Sequence, residues 1–343
     1  MTVSAVALKS ARLAAGTLCA LALTLAGLML LTFLLSRLAP IDPALQAVGD
    51  HASEASYAQA RLALGLDRPW PQQFAHYAWR LAQGDLGVSR ATGQPVADDL
   101  RRAFPATVEL ASTAMLFGGL AGLGLALLAA RYPGRWPDWV ARGIAVLGYS
   151  VPVFWLGLIG LLLFYARWHW AGGPGRVDDA FLYSLPAGSG LLLLDSLRAG
   201  DSDLLRNVVA HLWLPTLVLA LQSTAGVVRV LRAALLEASR QEYALAARAR
   251  GAGEWRILWR HALPNVASLA VTVLALTYAG LLEGAVLTET VFAWPGIGRY
   301  LTMALFAADT PAILGATLVI GACFVLLNML ADLLARWLDP RTR

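Results

Sequence analysis

Long runs of apolar residues constrain the fold of this sequence most strongly. Six runs with at most one Asp, Glu, Lys, Arg or His reach the roughly 20 residues that a helix needs to cross a bilayer core: 13–35, 110–130, 143–166, 208–228, 264–286 and 311–331. Hydrophobic residues make up 58% of the 343 and charged residues 14%, with a mean hydropathy of +0.61. The first run is too long for the apolar core of a secretory signal. We therefore predict an all-α integral membrane protein with six transmembrane helices.

The distribution of Lys and Arg predicts the orientation of these helices, because short cytoplasmic loops are enriched in basic residues. If the N-terminus is cytoplasmic, the inner segments are 1–12, 131–142, 229–260 and 332–343. They carry 15 basic and six acidic residues, whereas the rest of the chain carries 12 basic and 16 acidic. Both termini are therefore predicted to be cytoplasmic. The basic residues are scattered along the chain, so no nucleic-acid partner is expected.

A polar stretch between the first two spans predicts a small folded domain. Residues 57–66 and 70–81 have helical patterning between Pro and Gly breakers, which is typical of a helical cap. The predicted domains are an N-terminus with helix 1 (1–36), an extracytoplasmic cap (37–104), a five-helix core (105–336) and a cytoplasmic tail (337–343). Residues 191–194 are interpreted as an apolar patch inside a second outer polar loop, and the third span as one continuous helix.

The loop between the fourth and fifth spans is the only sizeable inner segment. Residues 229–264 are rich in Ala, Leu, Arg and Glu, with Gly251 and Gly253 in the middle, so we predict two helices hinged at these glycines. Apolar and basic side chains alternate along them. Such a helix either lies on anionic lipid or docks into a groove of a partner protein.

This loop resembles the cytoplasmic signature of permease subunits of binding-protein-dependent ABC importers. The signature has Glu-Ala-Ala, three residues, Gly, nine residues, then Ile-x-Leu-Pro; here Ala246, Ala247, Gly251 and Leu263-Pro264 match at the right offsets. Leu245 replaces the Glu, and His261 replaces the Ile. Residues 243–251 (YALAARARG) are similar to the oligopeptide, dipeptide and nickel branch of that family, which also lacks the Glu.

Further stretches resemble the same branch in the same order along the chain. They are RLAPIDP (37–43), LGLDRP (64–69), GDLGVS (84–89), GQPVADDLRRAFPATVE (93–109), ETVFAWPGIG (289–298) and DPR (339–341). The resemblance covers essentially the whole chain and is to the B-type permease, which has a large cap between spans one and two. It implies the fold of a type I ABC importer permease in the cytoplasmic (inner) membrane of a bacterium.

The resemblance implies a set of partners and a function. The partners are a related second permease, two ABC ATPase subunits and an extracytoplasmic substrate-binding protein, within the lipid bilayer. Peptides are the leading substrate, and nickel or a metal chelate is the alternative. The implied ATPase-coupling residues are Tyr243, Ala246, Ala247, Arg248, Arg250, Gly251, Leu263 and Pro264.

Ionisable residues near the ends of the spans are candidates for the pathway. Glu283 and Glu289 are the pathway candidates, whereas Glu109 is expected to be solvated at the membrane interface. We predict no catalytic residue, because the HExxH and GxSxG patterns are absent, and no metal site or cofactor. The absence of GxxxxGK[ST] indicates that any ATP is bound by another polypeptide. A stand-alone channel or secondary transporter is the remote alternative, and the discontinuous spans typical of transporters are not expected here.

Overall fold

The computed structural model describes residues 3–38, 43–49, 53–63, 65–183, 185 and 188–338. Apart from one isolated bridge between Val88 and Pro95, the regular structure of this part of the chain is helical. Its α-helices are α1 (Val3–Leu38), α2 (Pro43–Val48), α3 (Glu54–Ala63), α4 (Trp70–Ala82), α5 (Val96–Arg131), α6 (Trp136–Ser150), α7 (Val153–Gly160), α8 (Leu192–Ala199), α9 (Ser202–Ala238), α10 (Glu242–Ala249), α11 (Glu254–Ile257), α12 (Leu263–Asn265), α13 (Ala267–Val291), α14 (Ile297–Phe306) and α15 (Thr310–Leu338). Two π-helical stretches (Leu161–Arg167 and Leu258–Ala262) and a 3-10 turn (Asp179–Phe181) join them.

Five helices of the described chain are long and apolar enough to cross a membrane: α1, α5, α9, α13 and α15. They contain most of the first, second, fourth, fifth and sixth predicted runs, so these predictions are confirmed. Helix α9 has 37 residues and is therefore about 55 Å long at 1.5 Å per residue. It extends well beyond a hydrocarbon core of roughly 30 Å.

The third predicted span is not one continuous helix, and the expectation of no discontinuous span was wrong. Helices α6 and α7, the latter continuing as the π-helix, meet at an angle of 99°. Pro152 lies at the break, and the residue before it, Val151, is extended (φ −99°, ψ 124°). A proline ring disfavours helical geometry in the preceding residue, so the apolar run stays unbroken while the helix bends. The described part of the chain has six candidate spans if this bent pair counts as one.

The shorter helices test the predictions for the polar segments. Helices α3 and α4 confirm the two helices expected in the cap. Residues 191–194 were expected to be an apolar patch inside a polar loop, but Leu192 begins α8. The next long helix, α9, starts directly afterwards, where the Asp201 carboxylate accepts hydrogen bonds from the backbone N–H groups of Asp203 and Leu204, as an N-cap does. Parts of the RLAPIDP stretch, the DPR stretch and the C-terminal tail lie outside the described residues.

Two compact units emerge from the contacts within the chain. The first comprises residues 1–101 and 300–325. In it α1 packs on α4, with the Phe33 ring 5.5 Å from the Phe74 ring and Thr32 hydrogen-bonded to Tyr77. At the start of α15 the fully buried Asp309 carboxylate accepts hydrogen bonds from the Ser89 hydroxyl and the Ala91 backbone N–H.

The second unit comprises residues 102–299 and 326–343. Helix α9 is its centre and packs against α6, α7, α8 and α13. One buried cluster joins α5, α6 and the last turns of α9 to residues 258–266. Another joins α5, α9 and α13 to Trp294. Short polar side chains link the helices as well: Ser223 and Thr224 of α9 donate hydrogen bonds to the backbone carbonyls of Ala114 and Gly118 in α5.

Candidate functional site

The segment between α9 and α13 (residues 239–265, the inter-span segment) begins with two short helices, α10 and α11, on either side of a glycine turn. Helix α10 ends at Ala249, and α11 begins at Glu254. The backbone N–H of Ala252 donates to the Ala247 carbonyl, and that of Gly251 donates to the Arg248 carbonyl. This pair of bonds is the Schellman arrangement that ends many helices. The predicted pair of helices hinged at the glycines is confirmed.

The conformation of Gly251 explains why glycine is suited to this turn. Its φ is +84°, and an added Cβ would meet no heavy atom of the chain within 4 Å. A side chain here would be strained by backbone conformation and not by crowding within the chain. Gly253, two residues later, has φ −69° and ψ 153°, which any residue adopts. The backbone conformation at position 251 therefore favours glycine, whereas the conformation at position 253 accepts any residue.

A small apolar cluster and one ion pair hold the two helices together. Ala244, Ala247 and Ile257 are buried against one another, with Tyr243 and Ala252 packed on them. The Arg248 guanidinium donates two hydrogen bonds to the Glu254 carboxylate, at 2.7 and 2.9 Å, and a third to the Ser239 carbonyl. These bonds, outweighing partial burial, lower the pKa of Glu254 and raise that of Arg248. Arg248 therefore stabilises the turn through contacts within the inter-span segment itself.

The remaining predicted coupling residues lie at exposed or half-buried positions. Ala246 and Arg250 are exposed, and so is Leu245, which replaces the Glu of the signature. Leu263 packs on the buried cluster beside α9. Pro264 is exposed in the first turn of α12. The outer surface of α10 thus combines small, apolar and basic side chains.

The opposite end of α13 is organised around a fully buried carboxylate, that of Glu289. It accepts hydrogen bonds from the Thr107 hydroxyl at 2.6 Å, from the Arg299 backbone N–H at 3.0 Å and from the Gly298 backbone N–H. A Cβ on residue 296 or 298 would lie 2.3 or 2.9 Å from this carboxylate. Glycine is required at both positions because the chain wraps the acid closely.

The side chain of Trp294 completes this turn. It is fully buried, and its indole N–H donates a hydrogen bond to the Ala106 carbonyl. Thr107 also accepts a hydrogen bond from the Ile297 backbone N–H, so the ETVFAWPGIG stretch is tied to α5 at two neighbouring residues. The sequence motif contained the glycines and the tryptophan, but nothing in it pointed to Thr107.

Glu109 was expected to be solvated, and this expectation was wrong. Its side chain is 4% exposed and forms an ion pair with Arg176, which is 10% exposed. The Glu109 carboxylate also accepts a hydrogen bond from the Leu193 backbone N–H, and Arg176 donates to the Gly190 carbonyl. The segment that contains Arg176 and the start of α8 is thereby fastened to α5, and the Glu109 carboxylate is buried in this contact.

The two pathway candidates lie in different environments. The Glu283 side chain is exposed, whereas the Glu289 carboxylate is enclosed by its own turn. A further buried acid, Asp138, had escaped the sequence reasoning: it accepts hydrogen bonds from Arg232 of α9 and from the Gly134 backbone N–H. Among the described residues no three His, Cys, Asp or Glu side chains are grouped to hold a metal ion.

Comparisons with known proteins agree with this architecture. The family described as binding-protein-dependent transport system inner membrane component matches residues 122–343, and its N-terminal counterpart matches residues 12–111. The probable D,D-dipeptide transport system permease protein DdpB of Escherichia coli K12 is 44% identical over 321 residues, 94% of each chain. The dipeptide transport system permease protein DppB of the same strain is 38% identical over 93% of this chain and 95% of its own.

A third relative and a solved structure extend the comparison. The di/tripeptide transport system permease protein DppB of Pseudomonas aeruginosa UCBPP-PA14 is 39% identical over 93% of this chain and 95% of its own. A structure of the MetNI methionine ABC transporter in an inward-facing conformation matches with a TM-score of 0.52 at 17% identity, over 70% of this chain and 96% of that one. The latter supports the fold of a type I importer permease.

These matches, which cover nearly the full chain, fit the apolar spans and the signature in the inter-span segment. The family consists of non-catalytic membrane subunits that work with a separate ATPase and a substrate-binding protein. The chain belongs to the binding-protein-dependent transport system inner membrane component family and is a membrane permease subunit of an ABC importer.

Proposed function

We propose that this permease imports dipeptides or short oligopeptides and forms half of the translocation pathway. The observation that carries the proposal is the similarity, over 93–94% of the chain, to permeases of dipeptide and D,D-dipeptide transport. The aligned part of the chain is long enough to include the residues of the cap as well as the spans. A nickel or metal-chelate cargo is the alternative implied by the branch of the family.

The inter-span segment is the proposed contact with the ATPase. The outer surface of α10 supports this role because Ala246 and Ala249 are exposed and small, which allows a partner to approach the helix closely. Exposed Leu245 offers an apolar contact, and Arg250 offers a charge at the edge, which gives orientation more than affinity. Tyr243, Ala247, Arg248 and Gly251 shape the segment from within, and Leu263 and Pro264 connect it to α13.

The assembly and orientation follow from the same proposal. A second, related permease would complete the pathway, two ATPases would bind the inter-span segments, and the binding protein would deliver the cargo on the opposite side. The basic residues of the short loops support cytoplasmic termini. With that orientation residues 37–104 form an extracytoplasmic cap, residues 105–336 the core with its coupling loop at 229–264, and residues 337–343 the cytoplasmic tail. Glu283 remains a candidate for the pathway because its side chain is exposed.

The test is uptake into proteoliposomes that contain this permease with its second permease, ATPases and binding protein. We expect uptake of a labelled dipeptide to require ATP and the binding protein and to be competed by unlabelled peptides. Parallel assays with L,L- and D,D-dipeptides would narrow the cargo. Uptake of free Ni²⁺ that excess peptide leaves unchanged would favour the alternative, and transport by this chain alone without ATP would contradict the assembly.

A further inference from the structure

A cavity of about 640 Å³ lies within the first unit of the chain. Its walls are the last turn of α1, one face of α4, residues 85–93 and the first turns of α15. Since α1 and α15 are both membrane-spanning helices, the cavity lies where two spans meet the polar cap. This is the level of the bilayer at which lipid headgroups are found.

The polar part of the wall carries groups whose hydrogen-bonding capacity is not used. The Arg37 Nε and the Gln73 Oε1 are buried and have no hydrogen-bond partner among the described residues. Gln73 is 7% exposed, and its Nε2 is already engaged, donating to the carbonyls of Leu66 and Arg68. Leaving a buried donor or acceptor without a partner is unfavourable, so these two groups favour a polar ligand.

Charge in the wall favours an anion near Arg37. Three arginines and one aspartate line the cavity. Asp85 is paired with Arg80 at 2.8 Å, and within the described chain neither Arg37 nor Arg90 has an acidic partner. Arg37 lies at the end of α1, with its guanidinium 5.3 Å from the centre of the Phe33 ring. The cavity therefore has an excess of positive charge beside one unused acceptor.

The rest of the wall is apolar. Leu86 and Val88 contribute from the loop, and Pro311 and Leu314 contribute from the start of α15. A ligand that fills the cavity must therefore present an anionic group, a hydrogen-bond donor and an apolar part together. A phospholipid with an amine headgroup has all three in the correct order along its length.

We propose that this cavity binds one phosphatidylethanolamine molecule. Its phosphate is bound by Arg37, its ammonium group donates a hydrogen bond to the Gln73 carboxamide oxygen after a small shift of that side chain, and an acyl chain runs along Leu314. The lipid bridges the cap helix α4, the end of α1 and the start of α15, all of which line the cavity. The proposal is independent of the transported cargo.

Native mass spectrometry of the full chain, purified from membranes with its co-purifying subunits, tests this site. We expect the wild type to retain one phosphatidylethanolamine per copy after mild delipidation, and Arg37→Gln to retain about tenfold less. Arg101→Gln is the matched control, because Arg101 is exposed, pairs with Asp98 and does not line the cavity. Leu314→Trp fills the cavity and should also expel the lipid, with the thermal melting of each variant checked in parallel.

A headgroup exchange separates specific binding from general lipid retention. Gln73→Lys can still donate to the Leu66 and Arg68 carbonyls but removes the acceptor and adds a positive charge. In nanodiscs with equal phosphatidylethanolamine and phosphatidylglycerol, this variant should change the retained lipid from the former to the latter. Equal retention by wild type, Arg37→Gln and Arg101→Gln, or retention of phosphatidylglycerol by the wild type, would overturn the proposal.

Discussion

The two polar segments that flank α13 are stabilised in opposite ways. Before α13, the inter-span segment relies on a small apolar cluster and on an ion pair whose side chains are 33% and 39% exposed. After α13, the turn that contains Glu289 relies on a carboxylate with no exposure at all, bonded to a hydroxyl and to backbone N–H groups. One segment keeps its polar groups at the surface, and the other encloses them.

This difference indicates different mechanical roles. An exposed ion pair contributes roughly 0.2–1 kcal/mol, whereas a buried group that loses its partners destabilises by 1–3 kcal/mol for each unsatisfied bond. The turn after α13 is therefore held rigidly to α5, while the inter-span segment keeps its outer surface free for a partner. Substitutions in the turn after α13 should affect folding, and those in the inter-span segment should affect coupling.

The largest expected effect is that of Glu289→Ala. Removal of the carboxylate leaves the Arg299 and Gly298 backbone N–H groups and the Thr107 hydroxyl without their acceptor. We expect a loss of about 3 kcal/mol in the free energy of unfolding, measured by thermal or denaturant unfolding in detergent. Glu289→Gln, which keeps the shape and one acceptor, should lose less.

Glu283→Ala is the control for this substitution. Its side chain lies on the same helix but is exposed, so its stability should match that of the wild type. If Glu289→Ala were as stable as Glu283→Ala, the buried network would not be what fastens the turn to α5.

The second expected effect is that of Gly251→Val, which concerns the inter-span segment. A β-branched residue at φ +84° strains the backbone by roughly 1–2 kcal/mol, and relief of that strain disrupts the turn between α10 and α11. We expect normal insertion and folding in the membrane but a loss of more than tenfold in transport and in substrate-stimulated ATP hydrolysis. Co-purification of the ATPase and its turnover in reconstituted membranes are the measurements.

Gly253→Val is a matched control two residues away. Its backbone is extended and its Cβ would meet no neighbouring atom within 4 Å, so the same side chain is added without strain. Coupled transport should survive in this variant. If Gly251→Val bound the ATPase and transported substrate as the wild type does, the inter-span segment would not be the docking element. That result would favour its alternative role on the lipid surface.

The sequence predicted those features that depend on local patterning. Apolar runs identify the spans because a helix must cross the bilayer with its backbone bonded internally. The glycines near position 251 indicate a turn because only glycine adopts positive φ readily. The bend at Pro152 was missed because the apolar run continues across it, although the proline itself is visible in the sequence.

Other features depend on residues that are distant in sequence. Thr107 and Glu289 are 182 positions apart, and Arg176 pairs with Glu109 across 67 positions, so no periodicity connects them. Arg248 and Glu254 are close in sequence, but the glycine turn between them places them at a spacing that helix rules do not cover. From the sequence, Arg248 was therefore identified only as one of the residues that the resemblance implies for coupling to the ATPase.

The third prediction compares Arg248→Glu with Arg250→Glu. Arg250 is exposed, so its reversal should weaken ATPase binding by about 1 kcal/mol, a factor of about five, and leave stability unchanged. Arg248→Glu opposes Glu254 and loses the bond to the Ser239 carbonyl, so it should lower stability as well. Melting temperature and ATPase affinity, measured for both variants, separate the two roles. Identical profiles would contradict the role of Arg248 in holding the turn together through Glu254 and Ser239.

The smallest expected effect is the pH dependence of the Arg248–Glu254 pair. Because the hydrogen bonds from Arg248 lower the pKa of Glu254 below its ordinary value of 4.5, the carboxylate favours the folded segment whenever it is ionised. This contribution is fully present above pH 4.5 and is lost as the pH falls through the lowered pKa of the folded state.

Denaturant unfolding of the wild type and of Glu254→Gln measures this contribution. Since both side chains are about one-third exposed, we expect the free energy of unfolding of the wild type to exceed that of Glu254→Gln by only about 0.5 kcal/mol at pH 7. The difference, measured by denaturant unfolding at matched salt, should shrink towards zero in acid. In an Arg248→Gln background the Glu254→Gln substitution should have little effect at any pH, whereas a difference that persists there would assign the stabilisation to another partner of Glu254.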